Sequence, residues 1–123
     1  MPSINQVIER VKRTKPNVID DKDQARWLLT LDGRVYEEVV KADMPERMPA
    51  KAWPEDGDKP LLAESPYDSI YDLYLTAMIC FALGEYQDYN NIVEQFERTF
   101  QDFRGWWRRN HVPKQTARIQ GVW

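Results

Sequence analysis

The run at 70–83, I-Y-D-L-Y-L-T-A-M-I-C-F-A-L, limits what this chain can fold into more than any other stretch. Only Asp72 and Thr76 interrupt its apolar character. A helix that is apolar on every side must be surrounded by protein or by lipid. Fourteen residues are too few to cross a bilayer, so the run predicts a buried core helix with no membrane association. Ser65 is placed to cap it, Pro66 suits the first helical position, and Asp68 falls in the positive first turn. Gly84 can take the left-handed conformation that closes a helix.

The flanking sequence reads as further helix. Ser3 and Gln6 form a capping-box pattern before Ile4, Val7, Ile8 and Val11, which share one helical face. Pro16 ends that helix, and Asp20 or Asp21 caps the next, with Ile19 at the position of a hydrophobic staple. Leu28, Leu31, Val35 and Val39 make its stripe, which fades near Lys41. Gly33 inside this stripe implies close helix contact or a bend. After Gly84, the positions of Tyr89, Ile92, Val93, Phe96, Phe100, Phe103 and Trp107 give a long amphipathic helix, forming a helical hairpin with the apolar one.

Residues 42–64 hold four prolines and no periodicity. An irregular segment this long inside a small domain is functional or mobile. Met44, Met48 and Trp53 make it less soluble than a linker, so it reads as an excursion that packs on something, with Met44, Met48, Trp53 and the later Trp106 as candidates for a subunit interface. The fold expectation is all-α: one four-helix domain at 1–110, with a central buried helix in a C-terminal hairpin, the Pro-rich excursion at 42–64, and an extended tail at 111–123.

No chemistry is written into this pattern. With 123 residues and 42% hydrophobic content the chain suits one folded domain, and a net charge of −3 does not suggest a DNA-binding surface. The single cysteine, Cys80, lies in the apolar run and reads as a small buried hydrophobe. The single histidine, His111, sits where a helix end favours a cation, with no second histidine to make a dyad or metal site. Asp20, Asp21 and Asp23 are explained by a helix start, and Glu55, Asp56 and Asp58 lack the ligand pattern of a calcium loop. There is no phosphate-binding glycine loop. The expectation is a protein without catalytic, metal or cofactor residues, synthesised in the cytoplasm because no secretory signal is visible. Five Trp and six Tyr exceed what a small core easily hides and point to an interface.

One alternative remains at the C-terminal end. Arg104, Arg108, Arg109, Lys114 and Arg118 are interleaved with Trp106 and Trp107, a pattern that suits a small regulatory or nucleic-acid-associated helical protein. In the tail itself, Lys114, Arg118, Ile119, Val122 and Trp123 read as a docking segment that adds a strand to another protein, against a frayed terminus.

Several short motifs, taken in order, resemble the small α-helical head–tail connector (adaptor, or head-completion) proteins of tailed bacteriophages and prophages. They are Lys15-Pro16-Asn17, Trp27-Leu28, Leu31-Asp32-Gly33, Tyr36-Glu37-Glu38, Pro66-Tyr67-Asp68, Tyr71, Tyr74-Leu75, Gly84-Glu85-Tyr86, Tyr89-Asn90-Asn91 and Phe96. The likeness spans most of 1–110 and involves no catalytic motif. It implies a structural virion protein at the head–tail junction, forming a ring, typically twelve-fold, of its own copies beneath the portal protein. Such a ring extends the channel through which DNA passes without sequence-specific binding. It also supports the next connector or the tail protein, and its C-terminal segment contacts the portal.

Overall fold

The computed structural model describes residues 2–111, and within them the chain is mostly helical, with four α-helices and no strand beyond one isolated bridge. The first helix, α1 (Ile4–Thr14), starts as its sequence dictates. Ser3 Oγ accepts from the Gln6 amide, and Gln6 Oε1 accepts from the Ser3 amide, so two orphan donors are satisfied reciprocally. Its buried face is Ile4, Val7, Ile8 and Val11.

The link to the second helix is pinned by Gln24, a fully buried residue whose Nε2 donates to Asn17 Oδ1 and to the Ile19 carbonyl. Helix α2 (Asp21–Val35) is capped by Asp20, whose carboxylate accepts from the Lys22 amide. It continues into a π-helical turn, Tyr36–Val40, that buries Tyr36, Val39 and Val40. A side chain built at Gly33 would meet nothing within 4 Å, so the expected close helix contact there does not exist.

Helix α3 (Ser69–Ala82) starts later than the sequence suggests. Residues 65–68 form a turn in which the Tyr67 amide bonds the Glu64 carbonyl, and the Ser65–Pro66 peptide is cis. Ser65 therefore does not cap a helix and Pro66 is not its first residue. The turn places the Tyr67 ring against Phe103 and Trp106, at centroid distances of 5.8 and 5.5 Å. The two polar residues within the run also have partners. Asp72 forms a two-bond pair with Arg10 of α1, at 2.8 and 3.1 Å, and Thr76 donates to the Asp72 carbonyl. Gly84, at φ 77°, ends the helix in the left-handed region where only glycine is unstrained.

Helix α4 (Tyr86–Asn110) runs back along α3 and buries Phe96, Phe100, Phe103 and Trp107. Helix α3 packs against α1, α2 and α4, and α1 also packs against α2. At the C-terminal end of α3, Phe81 and Ala82, with Leu83 just after them, remain exposed, so the run is not covered on every side.

The segment between the π turn and α3 is irregular yet tied to the helices at both ends. Near its start, Trp107 Nε1 donates to Asp43 Oδ2 at 2.9 Å, and the Tyr36 hydroxyl donates to the Pro45 carbonyl at 2.7 Å. Further on, the Asn5 amide donates to the Gly57 carbonyl, the Leu61 amide to the Pro2 carbonyl, and Trp53 Nε1 to Asn5 Oδ1. Leu61, Leu62 and Ala63 enter the core. Gly57 is needed for close approach: a Cβ there would lie 2.7 Å from Asn5 Nδ2, and the Asn5 side chain is itself held by Asp58 and Trp53.

Gly57→Ala should therefore destabilise the domain by about 1 kcal/mol, the low end of overpacking costs, as a shift in the urea midpoint. In an Asn5→Ala background the same substitution should cost nothing. An equal cost in both backgrounds would show that the close approach to Asn5 is not the cause.

Candidate functional site

The most unusual polar arrangement in the molecule surrounds Asp32. This residue is fully buried on α2, although an isolated carboxylate is among the least tolerated groups in a core. Its Oδ1 accepts from the Leu62 amide at 3.1 Å and from the Tyr71 hydroxyl at 2.7 Å. The same hydroxyl accepts from the Ala63 amide at 2.8 Å. Asp32 Oδ2 has no partner at hydrogen-bonding geometry. Burial pushes the Asp32 carboxyl above its ordinary value of 3.8, against the opposing effects of the Leu62 amide, the Tyr71 hydroxyl and the Ala50 amide. Burial, followed by the nearby Asp32 charge, pushes the Tyr71 phenol far above 10. Sequence reasoning singled out both residues as motif positions, without linking them. An aspartate on the apolar stripe side of a helix was the available signal.

This cluster joins three pieces of chain. A hollow of about 180 Å³ lined by Met48, Pro60, Leu61 and Leu62 lies at the segment that supplies its amides, and the cleft bounded by Tyr74, Met78, Tyr89 and Phe96 holds about 110 Å³; both are below the roughly 300 Å³ at which small-molecule sites begin. Among the described residues, no group of three His, Cys, Asp or Glu side chains is placed to hold a metal ion. Asp20 caps α2, Asp21 pairs with Lys12 at 2.6 Å, and Asp23 lies 3.6 Å from Arg26. Asp56 is held down to about 2 by its bond to Lys59 and by the Lys51 and Ala52 amides. Asp58 accepts from Asn5. Cys80 is buried, and burial raises its thiol. His111 caps α4: its ring stacks on Trp107 at 3.8 Å, and Nδ1 donates to the Trp107 carbonyl.

The residues expected at interfaces are distributed unevenly. Met44, Trp53 and Trp106 are partly buried and pack against the protein's own core. Met48 is exposed, beside an open groove of about 360 Å³ that also includes Pro49, Lys51 and Pro60. Trp107 is buried, and Trp106 lies near Phe103, Tyr67 and His111. Of the basic residues near them, Arg104 is 3.9 Å from Glu38, while Arg108 and Arg109 are exposed. A base-stacking platform needs free ring faces, and Trp107 does not offer one. Lys114, Arg118, Ile119, Val122 and Trp123 lie outside the described residues.

Six residues from the resembling motifs meet in three pairs across long sequence separations. Lys15 Nζ lies 2.6 Å from Glu85 Oε1, Asp32 bonds Tyr71, and the Tyr74 ring is 5.3 Å from Phe96. Comparison with family models, characterised proteins and solved structures gave no match to this chain. No described helix is long and apolar enough to cross a membrane.

Two substitutions test the buried cluster. Tyr71→Phe leaves the Ala63 amide buried without an acceptor and should cost about 1–3 kcal/mol in urea unfolding. Asp32→Asn removes the titration. Because the folded-state value is raised, the wild-type carboxyl binds its proton more tightly when folded, and its contribution to stability falls as pH rises above about 3.8 through that raised value. The stability of Asp32→Asn relative to wild type should therefore increase with pH over this window and then level off. A difference that is flat from acid to neutral pH would refute the assignment.

Proposed function

We propose that this protein is a structural head–tail connector of a tailed bacteriophage or prophage. Its copies form a ring beneath the portal, extend the DNA channel and support attachment of the next connector or tail protein. In this reading the protomer is a four-helix unit organised on α3 as its central helix. The irregular segment at 42–64 and Trp106 face neighbouring proteins, with Met48 the most exposed of the four interface candidates.

One observation carries the reading. The motif residues that resemble connector proteins form three tertiary contacts: Lys15 with Glu85, Asp32 with Tyr71, and Tyr74 with Phe96. These contacts tie α1, α2, α3 and α4 together, so the motif residues serve the helical frame that a connector protomer needs, and the family itself is proposed from the order of the motifs. An assembly role also suits a molecule whose polar clusters tie the chain together and whose exposed apolar residues gather at the surface.

The test is negative-stain imaging of the purified protein, alone and mixed with the portal protein of the same genome. Rings, or an added layer beneath the portal, are the expected result. Particles that neither self-assemble nor bind the portal would overturn the proposal.

A further inference from the structure

Four of the five large apolar side chains with the greatest exposure belong to one end of the bundle. Phe81 is 52% exposed, Leu83 45% and Tyr86 58%, all at the turn between α3 and α4, while Val18 is 98% exposed in the link between α1 and α2. The Lys15–Glu85 ion pair holds that link against that turn. The patch is preformed, since the Phe81 ring is 5.6 Å from Tyr86 and 5.2 Å from Tyr89. Around it Lys15 pairs with Glu85, and the C-terminal end of α3 adjoins the N-terminal end of α4, so their opposite dipole ends offset each other and Asp88 is left as an exposed acid on the rim. An exposed apolar cluster with a polar rim marks an interaction surface.

The occupant follows from the residues beyond α4. Residues 112–123 include Lys114 and Arg118 and no acid, with Val112, Ile119, Val122 and Trp123 as apolar anchors. They depart from the opposite end of α4, whose 25 residues separate its two ends by about 37 Å. Twelve residues span at most about 40 Å when fully extended. The same chain could touch its own patch only with the tip of a stretched segment, leaving nothing to lie across it. A second copy placed end to side has no such restriction.

We infer that the Phe81, Leu83 and Tyr86 end receives residues 112–123 of a second copy of this chain. The contact is heterologous, tail to patch, so it propagates from copy to copy and closes into a ring if the rotation allows. The inference rests on the self-association that the connector reading requires. It assigns the tail a neighbouring copy, in place of the portal contact implied by the resemblance.

Two full-length variants test it by sedimentation velocity. Leu83→Asp with Phe81→Ser disables the patch and leaves the tail intact. Ile119→Asp with Trp123→Ala disables the tail and leaves the patch intact. The patch residues are exposed, so the far-ultraviolet dichroism of both variants should match wild type. Wild type should form oligomers. Each variant alone should be monomeric, with association weakened about tenfold or more. An equimolar mixture should give dimers and nothing larger, because it contains one working tail and one working patch per pair. A monomeric wild type, a patch variant that assembles like wild type, or a mixture that stays monomeric would each overturn the inference. The portal-imaging result is read separately, so a portal layer formed by a monomeric protein would reject only the tail-to-patch contact.

Discussion

The bond from Tyr71 to the buried carboxylate of Asp32 sets much of the rest of the structure. It joins α3 to α2, and the two backbone amides that complete the cluster, from Leu62 and Ala63, fix where the irregular segment re-enters the core. Polar groups out of water are costly when unpaired and rigidifying when paired. Leu61, Leu62 and Ala63 are buried because their backbone has partners at that depth. The resulting turn sends Tyr67 onto Phe103 and Trp106 before α3 begins.

The same accounting explains how a 42–64 segment without periodicity belongs to a small domain. Its backbone and side chains bond to the N-terminal end of α1, to the π turn after α2, and to the C-terminal end of α4. A long connection is compatible with compactness when its polar groups are satisfied along the way. The consequence reaches the surface. Trp53 and Met44, which look like interface residues in a linear reading, are partly spent on the protein's own core, and the more exposed apolar side chains lie at the far turn of the hairpin.

Charge is arranged on the outside of this frame. Arg10 with Asp72 joins α1 to α3, Lys15 with Glu85 joins the two helical turns, and Arg34 reaches Glu97 while lying over the Phe100 ring at 4.4 Å. Exposed pairs of this kind contribute about 0–1 kcal/mol each, so they orient the helices more than they hold them. What such a surface offers a partner is an apolar end bordered by Asp88 and the Lys15–Glu85 pair on one side and a basic helix terminus on the other. The proposed connector ring and the tail-to-patch contact both draw on that polarity.

Much of the helical framework was legible from residue order alone. Capping of α1 by Ser3 and Gln6, an aspartate cap before α2 that the structure narrows from Asp20 or Asp21 to Asp20, the closure at Gly84 and the stripe from Phe96 to Trp107 all follow from local rules of spacing and backbone chemistry. These features depend on neighbours within a turn or two, which a sequence displays directly. Three other matters were decided only in three dimensions. The start of α3 moved past Pro66 because long-range aromatic packing and the Asp32 cluster shaped the preceding turn. Gly33 proved to have no close neighbour, and the polar character of Asp32 and Asp72 made sense only once Tyr71 and Arg10 were found opposite them. The irregular segment had no period to read, since its bonds join residues dozens of positions apart. Local chemistry thus specified the helices, while the partners of buried polar groups, which no linear pattern names, specified how the helices and the loop were joined.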